Sequence, residues 1–330
     1  MMNAHITQQV ETCMDGTEYG DPSLGESMRA ELEKRLVQVE KEQRPLRVYC
    51  GYDVTGPDLH LGHTVTMRKL RQFQDFGHAV YVVIGTFTSL IGDPSDRETA
   101  REKRGVDTIM QESISYARQA FKVLDENKTR LLFNHEWLQE ISITEVLNIG
   151  SMFSLQQLLG RDNLKKRMLR NDVIQFQEIL YPIAQAYDAV KIQADVQIGA
   201  TEQLFNLMAG RKLQEHFHMQ PQICLTLPIL VGIDGKKRMS KSTGNYIGIM
   251  EAPIEKFKKL MKIPTGALPS YIHLLTRWTV AEKDRMVLAI STSETDTKKL
   301  LELKKSIAWE IVAGIDGETE ANKAMQIAAL

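Results

Sequence analysis

Two short motifs hold the residues of this chain that are best suited to chemistry. His60-Leu61-Gly62-His63 follows an early strand-like run, and Arg238-Met239-Ser240-Lys241-Ser242 comes roughly 175 residues later. A helix opening at Leu61 offers backbone N–H groups and the positive end of its dipole to an anion. Gly62 has no Cβ and lets a ligand approach the main chain. His60 and His63 can donate hydrogen bonds to phosphoryl oxygens as charge builds on them, and Thr55 adds a hydroxyl. The second motif lies between Asp234-Gly235 and Gly244-Asn245, a setting for a mobile loop. Its Lys236, Lys237, Arg238 and Lys241 can fold over a triphosphate where pyrophosphate leaves. Each motif alone also suits a plainer reading, a water-facing helix cap or an exposed basic hairpin tip. Taken in this order and setting, the pair points to an ATP-phosphate site.

The surrounding pattern predicts the elements that position them. Leu46 to Gly51 reads as a buried strand, Leu61 to Phe76 as a helix with Val65, Met67, Leu70 and Phe73, and Ala79 to Ile84 as a second strand. That strand–helix–strand unit favours a parallel α/β sheet, with ligands bound beyond the carboxyl ends of its strands. Ser27 to Glu42 has the spacing of an amphipathic helix, ended by Pro45. Residues 1–26 are polar and Gly-containing, expected as a loosely held arm. The stretch from about 100 to 180 is mostly helical in pattern: Thr108 to Leu124, Ile143 to Met152, and the basic run Arg161 to Arg170. Strand-like runs return at Asp195–Ile198 and Ile223–Thr226, and after Pro253 come lysine-rich helices, one with Leu300, Leu303, Ile307, Ile311 and Ile315 on one face.

Bulk properties narrow the class. With 330 residues the chain can build one large domain or two moderate ones. A net charge of -1 argues against a strongly basic nucleic-acid binder without excluding a local basic patch. Cys13, Cys50 and Cys224 are odd in number and scattered, which fits reduced thiols rather than a disulfide or zinc framework. His216 and His218 lack a third nearby ligand, so no protein metal site is expected. The acidic, non-apolar first 30 residues argue against a signal peptide, and no long apolar run suggests a membrane span. The expectation is a soluble cytoplasmic protein.

The chain resembles the class I aminoacyl-tRNA synthetases, and among them is similar to the bacterial tyrosyl-tRNA synthetases. The resemblance rests on Tyr49-Cys50-Gly51-Tyr52-Asp53 through His63, on Leu90-Ile91-Gly92-Asp93-Pro94-Ser95, on Gln185-Ala186-Tyr187-Asp188, and on the basic loop. It runs from about residue 30 to the C-terminus. It implies a Rossmann-like parallel sheet with helices on both faces and a helical connecting insertion, followed by a small all-helical domain. The boundaries that follow are a catalytic domain over 27–230 with the insertion at about 110–180, the basic loop and linker over 231–250, and the helical domain over 251–330.

The resemblance also implies residue roles. Tyr49 and Asp188 would contact the phenolic hydroxyl of tyrosine, while Asp93, Tyr181 and Gln185 would hold its ammonium with Thr88 nearby. Cys50, Thr66, Glu202 and Gln203 match positions around the ATP ribose and the reacting carboxylate. The same segments bring Gly51, Asp53, Gly62, Gly199, Ala200, Met239 and Ser240 to ATP. Thr55, His60, His63, Arg238 and Lys241 would serve the phosphates.

The implied activity is ATP-dependent activation of L-tyrosine to tyrosyl-adenylate, with magnesium accompanying ATP, then transfer to tRNA(Tyr) by a homodimer. The chain departs from the usual pattern at Ala200, Glu202, Arg238 and Tyr52. It also stops at Ala329-Leu330, where bacterial members usually continue into a small RNA-binding domain. Two alternatives stay open: a ligase passing an aryl amino-acyl adenylate to a non-tRNA acceptor, and a noncatalytic RNA-binding paralogue.

Overall fold

Five strands, β1 Arg47–Asp53, β2 Ala79–Gly85, β3 Thr129–Phe133, β4 Val196–Ala200 and β5 Ile223–Leu227, form one parallel sheet in the order β3-β2-β1-β4-β5. This is a computed structural model, and it describes residues 4–95, 105–293 and 295–328. Apolar residues crowd the central strands because helices cover both faces. In β1, Val48, Cys50 and Tyr52 join the main core, while Tyr49 points to the opposite face with Ala189 and Ile192. The chain reverses direction across the sheet between β1 and β4. The carboxyl ends of those two strands therefore diverge into a crevice.

Helix Leu61–Asp75 connects β1 to β2 and starts where the first motif does. Helix Phe176–Ile192 carries Tyr181, Gln185 and Asp188 at spacings of four and three, so all three share one face. Pro182 lies inside this helix rather than at its start, and its missing N–H leaves the Glu178 carbonyl without its usual helical donor.

The amino-terminal segment corrects an expectation. Residues Ala4–Met14 form a helix whose Ile6, Val10 and Cys13 are buried in the main core, not a loosely held arm. The next helix opens at Pro22 rather than near Ser27, because Asp21 accepts the Ser23 N–H and Pro22 occupies the first helical turn. Past Pro253 the described residues form helices Pro253–Met261, Leu268–Leu275, Val280–Ser291, Thr297–Asp316 and Glu318–Ala328. Tyr271, Ile272, Ile307 and Ile311 belong to the same core cluster as the sheet, so these helices share its hydrophobic interior. No helix among the described residues is long and apolar enough to cross a membrane.

Candidate active site

The two motifs meet through the main chain. The Leu61 N–H donates to the Ile247 carbonyl at 2.9 Å and the Ile249 N–H to the Leu59 carbonyl at 3.0 Å. This pairing seats the segment after the basic loop directly against the start of helix Leu61–Asp75. Above it, at the carboxyl ends of β1 and β4, opens a cavity of about 450 Å³.

One end of this cavity is built from a reciprocal histidine cap. The His60 Nδ1 accepts the Gly62 N–H at 3.1 Å, and the His63 Nδ1 accepts the His60 N–H at 3.2 Å. Both Nδ1 atoms are thereby used as acceptors, which leaves the ring proton on Nε2 of each. Burial, then the neighbouring imidazole and the Lys241 and Arg238 cations, push His60 down to about 2; burial and Lys241 push His63 down to about 4. Both rings are thus neutral at physiological pH and present an N–H. A side chain on Gly62 would meet the His60 ring at 2.9 Å, so glycine is required for the cap to close. Thr55 is held by the Tyr116 hydroxyl, which accepts its N–H at 3.1 Å. Opposite, the Arg238 guanidinium lies 3.7 Å from the Glu202 carboxylate, and Met239 is buried against the core.

The other end is closed and polar. Burial pushes the Asp188 carboxyl up to about 8, against the Trp137 Nε1–H, which donates to it at 2.8 Å, and the Asn134 amide at 3.3 Å. Asn134 also donates to Thr88 Oγ1 at 3.1 Å, and the Thr88 hydroxyl donates in turn to Asp53 at 2.6 Å. The Tyr181 hydroxyl reaches the second Asp53 oxygen at 3.1 Å. Gln203 donates to Asp93, and Asn206 links Gln203 to Gln185 at 2.9 and 3.0 Å. Tyr52, one of the departures from the usual pattern, hydrogen-bonds Thr66 at 2.8 Å.

The cavity wall brings together nearly the whole predicted set. Thr55, His60, Gly62, His63, Arg238 and Lys241 line one end, and Met239 and Ser240 lie with them. Thr88, Asp93, Tyr181, Gln185 and Asp188 line the other. Cys50, Gly51, Asp53 and Thr66 approach from the β1 side, and Gly199, Ala200, Glu202 and Gln203 from β4. Tyr49 is the exception. It is fully buried beneath the wall, and it lies close enough to Asp188 for the two to repel when charged. The polar residues that motif reading missed are Asn134, Trp137, Tyr116 and Asn206. Asn134, Trp137 and Tyr116 act from distant segments with no local pattern to mark them, while Asn206 lies only three residues past Gln203, just beyond the motif. Among the described residues, no group of three or more histidines, cysteines or acids comes together as a metal site.

A parallel sheet of this order, with a histidine-capped helix and a cationic loop at its switch point, defines a nucleotide-dependent enzyme of the class I synthetase type. The chain belongs to the family "tRNA synthetases class I (W and Y)", whose model matches residues 41–329. It is an aminoacyl-tRNA ligase. It is similar to the tyrosine–tRNA ligase of Haemophilus ducreyi, with 42% identity over 89% of this chain and 73% of that protein. The Thermotoga maritima tyrosine–tRNA ligase is 43% identical over the same shares. Among solved structures, a C-terminally truncated mitochondrial tyrosyl-tRNA synthetase of Aspergillus nidulans superposes with a TM-score of 0.76 at 22% identity, covering 98% of this chain and 93% of that one. The latter likeness bears on the fold alone.

Proposed function

We propose that this chain is a tyrosine–tRNA ligase that activates L-tyrosine with ATP and transfers the tyrosyl group to tRNA(Tyr). The observation that carries the reading is Asp188, a buried acid fixed by Trp137 and Asn134 at the closed end of the cavity. A phenolic hydroxyl placed there satisfies a polar group that a phenyl ring would strand; tyrosine against phenylalanine in this enzyme family is the standing example of that rule. Tyr49, within electrostatic reach of Asp188, is the second residue we assign to the phenol. The similarity to curated tyrosine–tRNA ligases at about 40% identity supports the same substrate.

In the first step a carboxylate oxygen of tyrosine attacks the α-phosphorus of ATP. The bond from that phosphorus to the bridging oxygen breaks, and pyrophosphate leaves. No side-chain nucleophile and no proton transfer are required, so catalysis consists of alignment and charge stabilisation. His60 and His63 donate neutral N–H groups to the phosphoryl oxygens. Arg238 and Lys241 stabilise the departing pyrophosphate, and Thr55 adds its hydroxyl. Asp93, Tyr181 and Gln185 hold the ammonium, which favours a free amino acid over a blocked one. Magnesium enters with ATP, bound through phosphate oxygens and water.

The reading extends to assembly and compartment. Ile143, Leu147, Leu169, Val173 and Phe176 are all largely exposed on the insertion, an apolar surface suited to a homodimer interface. Three buried free thiols fit the reducing cytoplasm. The test is tyrosine-dependent exchange of pyrophosphate into ATP, followed by charging of tRNA. Absence of exchange with tyrosine, or equal exchange with phenylalanine, refutes the assignment. Exchange without charging moves the acceptor away from tRNA.

A further inference from the structure

We propose that Asn245 is a positioning residue for adenylate formation, one whose side-chain amide braces the basic loop in its place over the cavity. This rests on the functional reading above. Asn245 lies outside the cavity wall and is 6% exposed. Its Oδ1 accepts the Ser240 N–H at 2.9 Å and the Thr243 hydroxyl at 2.7 Å. The two protons on its Nδ2 are shared among three acceptors, the Arg238 carbonyl at 3.0 Å, Asp234 Oδ2 at 3.1 Å and the Lys237 carbonyl at 3.3 Å. One side chain therefore ties the ascending arm of the loop, its tip and its descending arm together. The Asn245 backbone joins in, its carbonyl accepting the Ile233 N–H at 2.9 Å. Gly232 leaves the room for this: a Cβ there would fall 2.3 Å from the Asn245 amide nitrogen.

The brace matters because of what it is anchored to. Two residues beyond Asn245, Ile247 begins the main-chain pairing with Leu59 and Leu61 on either side of His60. The loop geometry is thus referenced to the histidine cap across a short rigid connection. From the braced loop Arg238 reaches Glu202, and the Lys241 ammonium lies 3.1 Å from where a Cβ on Gly56 would stand, so both cations span the cavity mouth. The chemistry needs an amide. Aspartate has the same shape but no donors, and would set a second carboxylate beside Asp234 and two carbonyl oxygens.

The experiment compares Asn245→Asp and Asn245→Ala with the parent chain by pyrophosphate exchange, normalised to titrated active sites. Thr243→Val, which removes one of the five bonds, is the milder control. Misplacing the loop cations is expected to lower kcat per active site by about 10- to 100-fold while KM for tyrosine stays within about twofold. Limited trypsin digestion without ATP is expected to cut after Lys236, Lys237 or Lys241 about tenfold faster in both variants, the rest of the chain staying intact. A purely structural role would remove active sites and leave kcat per site unchanged. Unchanged kcat per site, or loop cleavage at the parent rate, overturns the proposal. Absence of exchange in the parent chain defeats the functional reading instead, and the tryptic rates still decide on the brace.

Discussion

Asp188 and the two histidines of the first motif are forced toward neutrality by the same cause, burial, acting on opposite charges. The consequences for pH run in opposite directions. The Asp188 carboxyl rises from 3.8 to about 8, so the folded chain holds a proton that the unfolded chain releases, and stability at this site falls as pH rises through that window. Asp188→Asn does not titrate; its melting temperature relative to the parent should therefore increase between pH 5 and 8.5 (about the span of that window). A difference that stays constant across the range would contradict the raised value. For His60 and His63 the folded values lie below the ordinary 6.5, so the unfolded chain binds the extra protons, and stability is lost as pH falls below 6.5. Catalysis should accordingly show no histidine ionisation from these rings between about pH 6 and 9. His60→Ala should lower kcat for exchange by about 10²- to 10³-fold, the cost of one donor to a developing anion. At this scale much was legible. Tyr181, Gln185 and Asp188 fall on one helical face, and the histidines bracket a helix start. Asn134 was not legible, because it acts on Asp188 from 54 residues away, with no periodicity to announce it.

Among the elements, the strands that build the site are also tied together at their amino ends. Asp195, just before β4, accepts hydrogen bonds from Arg35 at 2.8 Å, from Arg44 at 2.7 and 3.1 Å, and from the Arg47 N–H at 2.9 Å. One carboxylate thus locks helix Pro22–Lys41 and β1 to β4, the pair whose far ends form the crevice. Arg35 is buried and also donates to the Pro221 carbonyl at 2.7 Å, so removing Asp195 leaves a guanidinium out of water without its counter-charge. Asp195→Ala should cost about 3–5 kcal/mol of stability in urea unfolding, because the loss strands a buried charge. The exposed pair Arg71–Asp75 is the contrast, and Asp75→Ala should cost about 0–1 kcal/mol. Equal losses would remove Asp195 from this role. Local sequence predicted β1, β2, β4 and β5 but not β3; β4 and β5 are as short but buried almost throughout, whereas β3 is an edge strand only partly buried and with no apolar run of strand length to mark it. The start of helix Pro22–Lys41 was readable from Asp21-Pro22, yet apolar spacing pointed five residues later.

Across the whole molecule, the amino-terminal segment joins parts that are far apart in sequence. The Glu18 N–H donates to the Thr226 carbonyl at 2.8 Å, the Thr226 hydroxyl donates back to the Glu18 carbonyl, and the Tyr19 hydroxyl reaches the Cys224 carbonyl at 3.0 Å. These bonds cover the outer edge of β5, which would otherwise present unpaired backbone groups. At the end of the first helix, Lys69 donates to the carbonyls of Thr12 and Asp15 at 3.0 and 2.8 Å, from the helix that carries His63 and Thr66. Burial lowers Lys69 to about 8. The Asp15 carboxylate then takes Lys283, from helix Val280–Ser291, at 2.6 Å, and Lys283 also donates to the His273 carbonyl at 2.9 Å. Asp15 is therefore a joint between the first helix, helix Leu61–Asp75 and the carboxyl-terminal helices. Polarity alone could not reveal this, because an acidic residue in a polar segment reads as solvated, and only the docked Ile6, Val10 and Cys13 face shows otherwise. Lys283 is 2% exposed, so Asp15→Asn leaves its ammonium buried beside a neutral amide. The expected loss is about 3–5 kcal/mol, with the carboxyl-terminal helices gaining hydrogen exchange first. Asp296→Asn changes an exposed cap of helix Thr297–Asp316 and should cost no more than about 1 kcal/mol. If Asp15→Asn matches that small loss, or exchange rises evenly over the sheet and the helices, the segment merely covers the molecule and does not hold it together.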